Sequence, residues 1–163
     1  EQLERVRGHG AIDAVMTTAS TLGEFSAIWH GVNLLRGLTG AGRWRQVPRL
    51  AILIGAESLI VNQGIKRLFR RARPTTSGDA RFDLRTPQTS SFPSGHASSA
   101  AFAATVLTRW DGRRSRLWWW PLAATVATSR AYVRVHHASD VIAGLFTGVA
   151  LARAALRLTS CKR

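Results

Sequence analysis

The chain has one cysteine, Cys161 near its end, which excludes an internal disulfide and a cysteine-rich metal site. Acids are scarce: 9 Asp and Glu stand against 23 Lys and Arg, for a formal net charge of +14. No internal repeat or low-complexity tract is present. An uninterrupted apolar run of the ~18 residues that mark a membrane span is also missing, so no segment is a clear span by that strict criterion. No signal peptide is visible, and the chain begins at Glu1 rather than Met, which leaves room for a leader or a first helix upstream.

What is there is unusual for so basic a chain. Of the 163 residues, 45% are hydrophobic, enough for one domain with its own core, expected to span 1–163. A balance of this kind suits nucleic acid, anionic lipid or a phosphate-bearing substrate. Nucleic-acid binders concentrate basic residues along one stripe or helix. Here they cluster between apolar segments, which argues for a membrane protein with cationic loops and no nucleic-acid partner. Five moderately apolar stretches recur at 25–36, 48–66, 94–110, 117–133 and 137–158, each with small or polar residues of the kind found where helices pack around a polar site. Ahead of them Ile12, Val15, Met16, Ala19 and Leu22 repeat at helical spacing, a short amphipathic helix that either lies at a membrane surface, the preferred reading, or packs in the bundle. Trp44, Trp110 and the triplet Trp118, Trp119 and Trp120 flank Arg-rich loops, as a lipid interface favours. The expected fold is all-α: a polytopic membrane bundle of about five transmembrane helices plus the N-terminal amphipathic helix. A soluble helical bundle is the alternative.

Three short blocks carry the chemistry. In "SRAYVRVHHASD", His136 and Asp140 are four residues apart, which on a helix puts both on one face. A carboxylate so placed fixes the tautomer of the ring and leaves its other nitrogen free as a nucleophile; His137, offset by one residue, is expected to point elsewhere. Lys66, Arg73 and Arg130 would supply three fixed cations for the equatorial oxygens of a transferring phosphoryl group. Arg70 and Arg71 are read as solvated, and Pro74 as the stop of a helix ending near Arg73. In "SFPSGHASSAAF", Ser94 and Gly95 open a helix whose free amides attract an anion, and Ser94 is equally suited to capping that helix. His96 beside them is placed to protonate a leaving oxygen. The linker 74–93 is long, polar and rich in turn formers, as functional loops are.

Together the blocks 66–74, 93–96 and 129–140 resemble the type 2 phosphatidic acid phosphatase superfamily, which includes lipid phosphate phosphatases, bacterial acid phosphatases and vanadium haloperoxidases. The pattern Lys-x6-Arg-Pro, Pro-Ser-Gly-His, Ser-Arg-x5-His-x3-Asp is matched in order by Lys66, Arg73, Pro74, Pro93, Ser94, Gly95, His96, Ser129, Arg130, His136 and Asp140. The resemblance implies a phosphohistidine on His136, oriented by Asp140, with His96 protonating the leaving oxygen and later helping to activate water. Lys66, Arg73, Ser94, Gly95 and Arg130 would bind phosphate. No metal or other cofactor is implied, and the sequence offers no carboxylate cluster to hold a metal.

Alternating spans would bring all three blocks to one membrane face. The opposite face, made of 36–49, 109–116 and 153–163, carries twelve Lys or Arg and one acid, Asp111, and is cytoplasmic by the positive-inside rule. The expectation is a multi-pass plasma-membrane lipid phosphatase with an outward-facing site. Its substrate would be a lipid phosphate monoester or diphosphate, with a polyprenyl-linked envelope intermediate preferred over phosphatidic acid or phosphatidylglycerol phosphate. A soluble exported acid phosphatase and a lipid phosphotransferase share the same motifs.

Overall fold

The computed structural model describes residues 2–40, 42–75 and 89–160. Most of the linker between the first two motif blocks, Cys161 and the last two basic residues lie outside them. Six helices make the fold: α1 Gly10–Leu22, α2 Ala27–Thr39, α3 Gln46–Leu59, α4 Gly95–Asp111, α5 Arg116–Tyr132 and α6 Ala138–Ser160, with no strand among the described residues.

The bundle is built around α4. Ser94 caps it, its Oγ accepting from the Ala97 amide at 3.4 Å. Ala97, Ala100, Ala101, Ala103 and Ala104 are fully buried, because small side chains let neighbouring backbones approach closely. α6 answers with Gly144 and Gly148, one turn apart. A Cβ at either would collide with the Ser94 or Ser98 carbonyl oxygen, so this helix pair closes only with glycine there. On the other sides Trp29, Leu50, Ile54, Phe102, Leu107 and Val126 join α2, α3, α4 and α5 in one apolar cluster.

The five expected stretches all fall on helices. Among the described residues only α6, with a stretch of mean hydropathy 1.6, is long and apolar enough to cross a membrane by length and composition. An uninterrupted apolar run is still missing there, because Thr147 and Arg153 break it, but they do not lower the average enough to matter. α4 and α5 have 17 residues each, at the lower edge of what a bilayer core of about 30 Å requires.

The amphipathic helix has a partner. Ile12 and Met16 of α1 pack on Tyr132, Val133 and Val135 at the end of α5, while Val15 and Leu22 stay exposed. The preceding segment is tied to the same place, Arg7 donating to the carbonyls of Tyr132 at 2.8 Å and Ala131 at 3.1 Å. At the opposite end Arg36 is a buried residue paired with Asp111 and with Gln46, so it locks α2 to α4 and α3 instead of serving as a loop cation. Among the tryptophans, Trp118 is exposed while Trp119 and Trp120 pack on the core, the split that three consecutive helical positions require.

Candidate active site

α3 does not end as a plain helix. It widens into a π turn, Ile60–Gly64, and then tightens into a 3-10 turn, Ile65–Leu68. In an uninterrupted α-helix, residues 57 and 66 would point to opposite faces, nine steps of about 100° apart. The two irregular turns break that phase, and Glu57 and Lys66 line the same cavity. Such π turns recur at functional sites. The helical turns stop at Leu68, five residues before the stop expected at Arg73, and Phe69 is already extended. Arg73 therefore reaches the site from a non-helical strap.

The cavity has a volume of about 530 Å³ and gathers Lys66, Arg73, Gly95, His96, Arg130 and His136, residues contributed by all three motif blocks. Arg73 is held by carbonyls, Nη1 donating to Val135 at 2.9 Å and Nη2 to Thr89 at 3.1 Å. Arg130 is 1% exposed, and its Nη1 donates to Ser20 of α1. Its Nε and Nη2 have no partner among the described residues, so a buried guanidinium faces the site with two donors to spend. Gly95 brings α4 close to Lys66: a Cβ there would lie 3.5 Å from the Lys66 Nζ and 3.2 Å from the Asn62 Oδ1. Ser94 is not part of this lining. It is fully buried, its hydroxyl capping α4 and its amide donating to the Asp140 carbonyl at 2.9 Å.

His136 lies in the bend before α6, since the helix begins only at Ala138. The shared helical face expected for His136 and Asp140 is therefore replaced by a turn, and the two side chains meet less directly. The His136 Nδ1 stands 3.7 Å from the Asp140 Oδ2 and 3.4 Å from the Ser91 Oγ, while Ser91 donates to that same carboxylate oxygen. On the other side, the His136 Nε2 faces the Arg73 Nη1 at 3.3 Å. A guanidinium can only donate, so this contact calls for a lone pair on Nε2 and places the ring hydrogen on Nδ1. Burial, reinforced by the charges of Arg73, Arg130 and Lys66 and opposed by the Asp140 hydrogen bond, pushes the His136 pKa down to about 4. The ring is neutral at physiological pH, its Nε2 lone pair accepting from Arg73 beside the cavity.

Two neighbours depart from expectation. His137 does not point away: its amide at 2.9 Å and its Nδ1 at 3.2 Å both meet the Asp140 Oδ2, because the carboxylate caps the start of α6. Arg71 is not simply solvated. It donates to the Asp140 Oδ1 at 2.8 Å and to Ser139 at 2.9 Å, reaching across from the strap. Ser91, Arg71 and His137 thus hold Asp140 still, and the fully buried Asp140 in turn faces the His136 ring.

His96 sits in the first turn of α4 with its Nε2 buried and without a partner among the described residues. Its ring is backed by Gly23, where a Cβ would lie 2.6 Å from the His96 Cδ2. Neither Gly23 nor Ser20 carries a motif signal, and only α1 folding onto α5 brings them to the site.

The PAP2 superfamily model matches residues 48–162. A decaprenylphosphoryl-5-phosphoribose phosphatase of Mycolicibacterium smegmatis is 33% identical over 80% of this chain and 71% of its own length. One of the same name from Mycobacterium tuberculosis is 33% identical over 82% and 75%. The crystal structure of a transmembrane PAP2-type phosphatidylglycerolphosphate phosphatase from Bacillus subtilis superimposes with a TM-score of 0.62 at 20% identity, covering 99% of this chain and 92% of that one. With residues of all three motif blocks lining one cavity and these likenesses across most of the chain, the protein belongs to the PAP2 superfamily and is a phosphatase.

Proposed function

We propose that the protein is a multi-pass membrane enzyme that removes a terminal phosphate from a polyprenyl-linked sugar phosphate, through a phosphohistidine on His136. The observation that carries the reading is the single cavity in which three cationic side chains, His136 and His96 converge. Phosphate would seat on Lys66, Arg73 and Arg130 and against the start of α4 at Gly95, its spreading negative charge stabilised by groups already in place. The His136 Nε2 lone pair attacks phosphorus as the ester bond to the leaving oxygen breaks, and His96 delivers a proton to that oxygen. Water, losing its proton to His96, then attacks phosphorus. The phosphorus–nitrogen bond breaks and inorganic phosphate leaves. Asp140 keeps the ring hydrogen on Nδ1 and offsets the positive charge that the ring acquires.

The membrane reading draws on the outer surface. Leu35, Ile52, Leu59, Trp118, Phe146 and Leu158 are all exposed, an apolar exterior spread over α2, α3, α5 and α6 that water would penalise and lipid would cover. Only 22% of the apolar window of α6 is buried inside the protein, so α6 is not simply a core helix. The basic ends at 43–49 and 109–116 support a cytoplasmic location for the face away from the cavity. The sugar-phosphate preference leans on the two mycobacterial relatives, whose names specify such a lipid.

Phosphate release in detergent from a lipid-linked phosphopentose, phosphatidylglycerol phosphate, phosphatidic acid and a polyprenyl diphosphate tests the assignment. The phosphopentose should be turned over with the highest kcat/KM, and His136→Ala should be inactive on every one while remaining folded. A His136→Ala protein with near wild-type turnover would remove the phosphohistidine.

A further inference from the structure

The cavity is larger than a phosphate needs, and its remaining wall has a chemistry of its own. Apart from Phe25 and Val61, the side chains there are polar: Glu24, Ser26, Glu57, Ser58, Asn62 and Ser99. Glu57 is the most telling. It is 2% exposed, in the middle of an otherwise apolar stretch of α3, and Ser98 satisfies one of its oxygens, Oε1. A carboxyl group is costly to bury and is retained where it has something to bind. Asn62 donates its Nδ2 to Ser58 at 3.0 Å, which turns its carbonyl oxygen toward Gly95 at the head of α4. Ser99, one turn beyond His96, donates to the His96 carbonyl at 3.2 Å and keeps its acceptor lone pairs.

The cavity therefore offers both signs side by side. Lys66, Arg73 and Arg130 supply cations, and Glu57, Glu24, Asn62 and Ser99 supply acceptors among them, with His96 beside Ser99 and next to Gly23–Glu24. The cations draw the phosphate, and the acceptors are free to receive neutral hydroxyls.

We infer that this acceptor wall is a polyol subsite: Glu57, with Asn62 and Glu24, receives free hydroxyls on the leaving group, so the enzyme selects phosphate monoesters of hydroxyl-bearing lipid headgroups. Esters whose leaving group has no free hydroxyl bind less well. The inference rests on the proposed role of His96, because the leaving group is the part of the substrate that His96 touches.

Purified full-length protein in detergent tests it with two lipids of matched acyl chains. The leaving group of phosphatidylglycerol phosphate is phosphatidylglycerol, with a free hydroxyl next to the leaving oxygen; that of phosphatidic acid is diacylglycerol, with no hydroxyl besides the leaving oxygen itself. Wild-type protein should favour the first in kcat/KM, and Glu57→Gln should shrink that ratio by about tenfold, chiefly through KM, the order of loss expected when one buried hydrogen bond is weakened. Glu24→Gln and Asn62→Ala, at less buried positions, should shrink the same ratio and report on it if Glu57→Gln does not fold. Equal losses on both lipids would make Glu57 a folding residue and overturn the subsite, as would a wild-type enzyme indifferent to the hydroxyl. His136→Ala separates the two readings: residual turnover there refutes the phosphohistidine, whereas the lipid ratio refutes only the subsite.

Discussion

Replacing Gly23 by alanine tests how His96 is placed, with a perturbation whose size the geometry fixes. Gly23 has φ −73 and ψ −18, a conformation alanine adopts without strain, so the backbone should tolerate the change. The new methyl has nowhere to go. It would lie 2.6 Å from the His96 Cδ2, 3.1 Å from a Val126 methyl and 3.1 Å from the Ala19 carbonyl oxygen. Carbon atoms pack best at about 3.5–4.0 Å, so the His96 ring must retreat by roughly 1 Å. A misplacement of about 1 Å in a reacting constellation costs on the order of 100-fold, or about 2.7 kcal/mol of barrier. The loss should depend on the leaving group. With a lipid alcohol, which needs a proton to depart, kcat should fall about 100-fold. With p-nitrophenyl phosphate, whose phenolate departs unaided, it should fall far less. Thermal melting in detergent controls for folding, with the overpacking cost held to about 1–3 kcal/mol. A Gly23→Ala enzyme with full kcat on the lipid would refute both the placement of His96 and its role as acid. Equal losses on the two substrates would refute the role alone.

Two more expectations are open to measurement. His136 is held neutral by burial, and its folded pKa of about 4 lies below the ordinary 6.5. The ring should therefore gain a proton only as pH falls through about 4, and an NMR titration of labelled protein that placed the midpoint at 6.5 or above would contradict the picture. The topology can be read with an impermeant thiol reagent on intact cells, after Cys161→Ser clears the background. A cysteine at Ser77, in the linker, should react, and one at Ser115, in the Arg-rich turn between α4 and α5, should react only once the membrane is opened. Reversed labelling would put the active site in the cytoplasm.

Much of the site was legible because the three motif blocks keep fixed spacing around residues whose chemistry is distinctive. Lys66, Arg73, Gly95, His96, Arg130 and His136 all line one cavity. In sequence Ser94 suits both a phosphate and a helix cap, and its hydroxyl is engaged in capping. Local periodicity misleads where the helix is not regular. The spacing of His136 and Asp140 predicts one helical face, yet the helix starts between them. The contacts of Arg71 and His137 are hidden in sequence, where nothing says that a strap from residue 71 crosses to Asp140, or that the carboxylate turns back to cap its own helix.

By itself the sequence determined that the fold is helical and, through the resemblance of its three motif blocks, which family the chain belongs to. The first follows from apolar spacing and side-chain type, the second from motif residues kept in order along the chain, and both are local properties. Only the tertiary structure decided what stands behind those residues. The π turn in α3 rotates Glu57 and Lys66 into one cavity. The folding of α1 onto α5 sets Gly23 against His96 and Ser20 against Arg130. Each depends on contacts between distant parts of the chain, and on helix phase errors that a regular period of 3.6 cannot express.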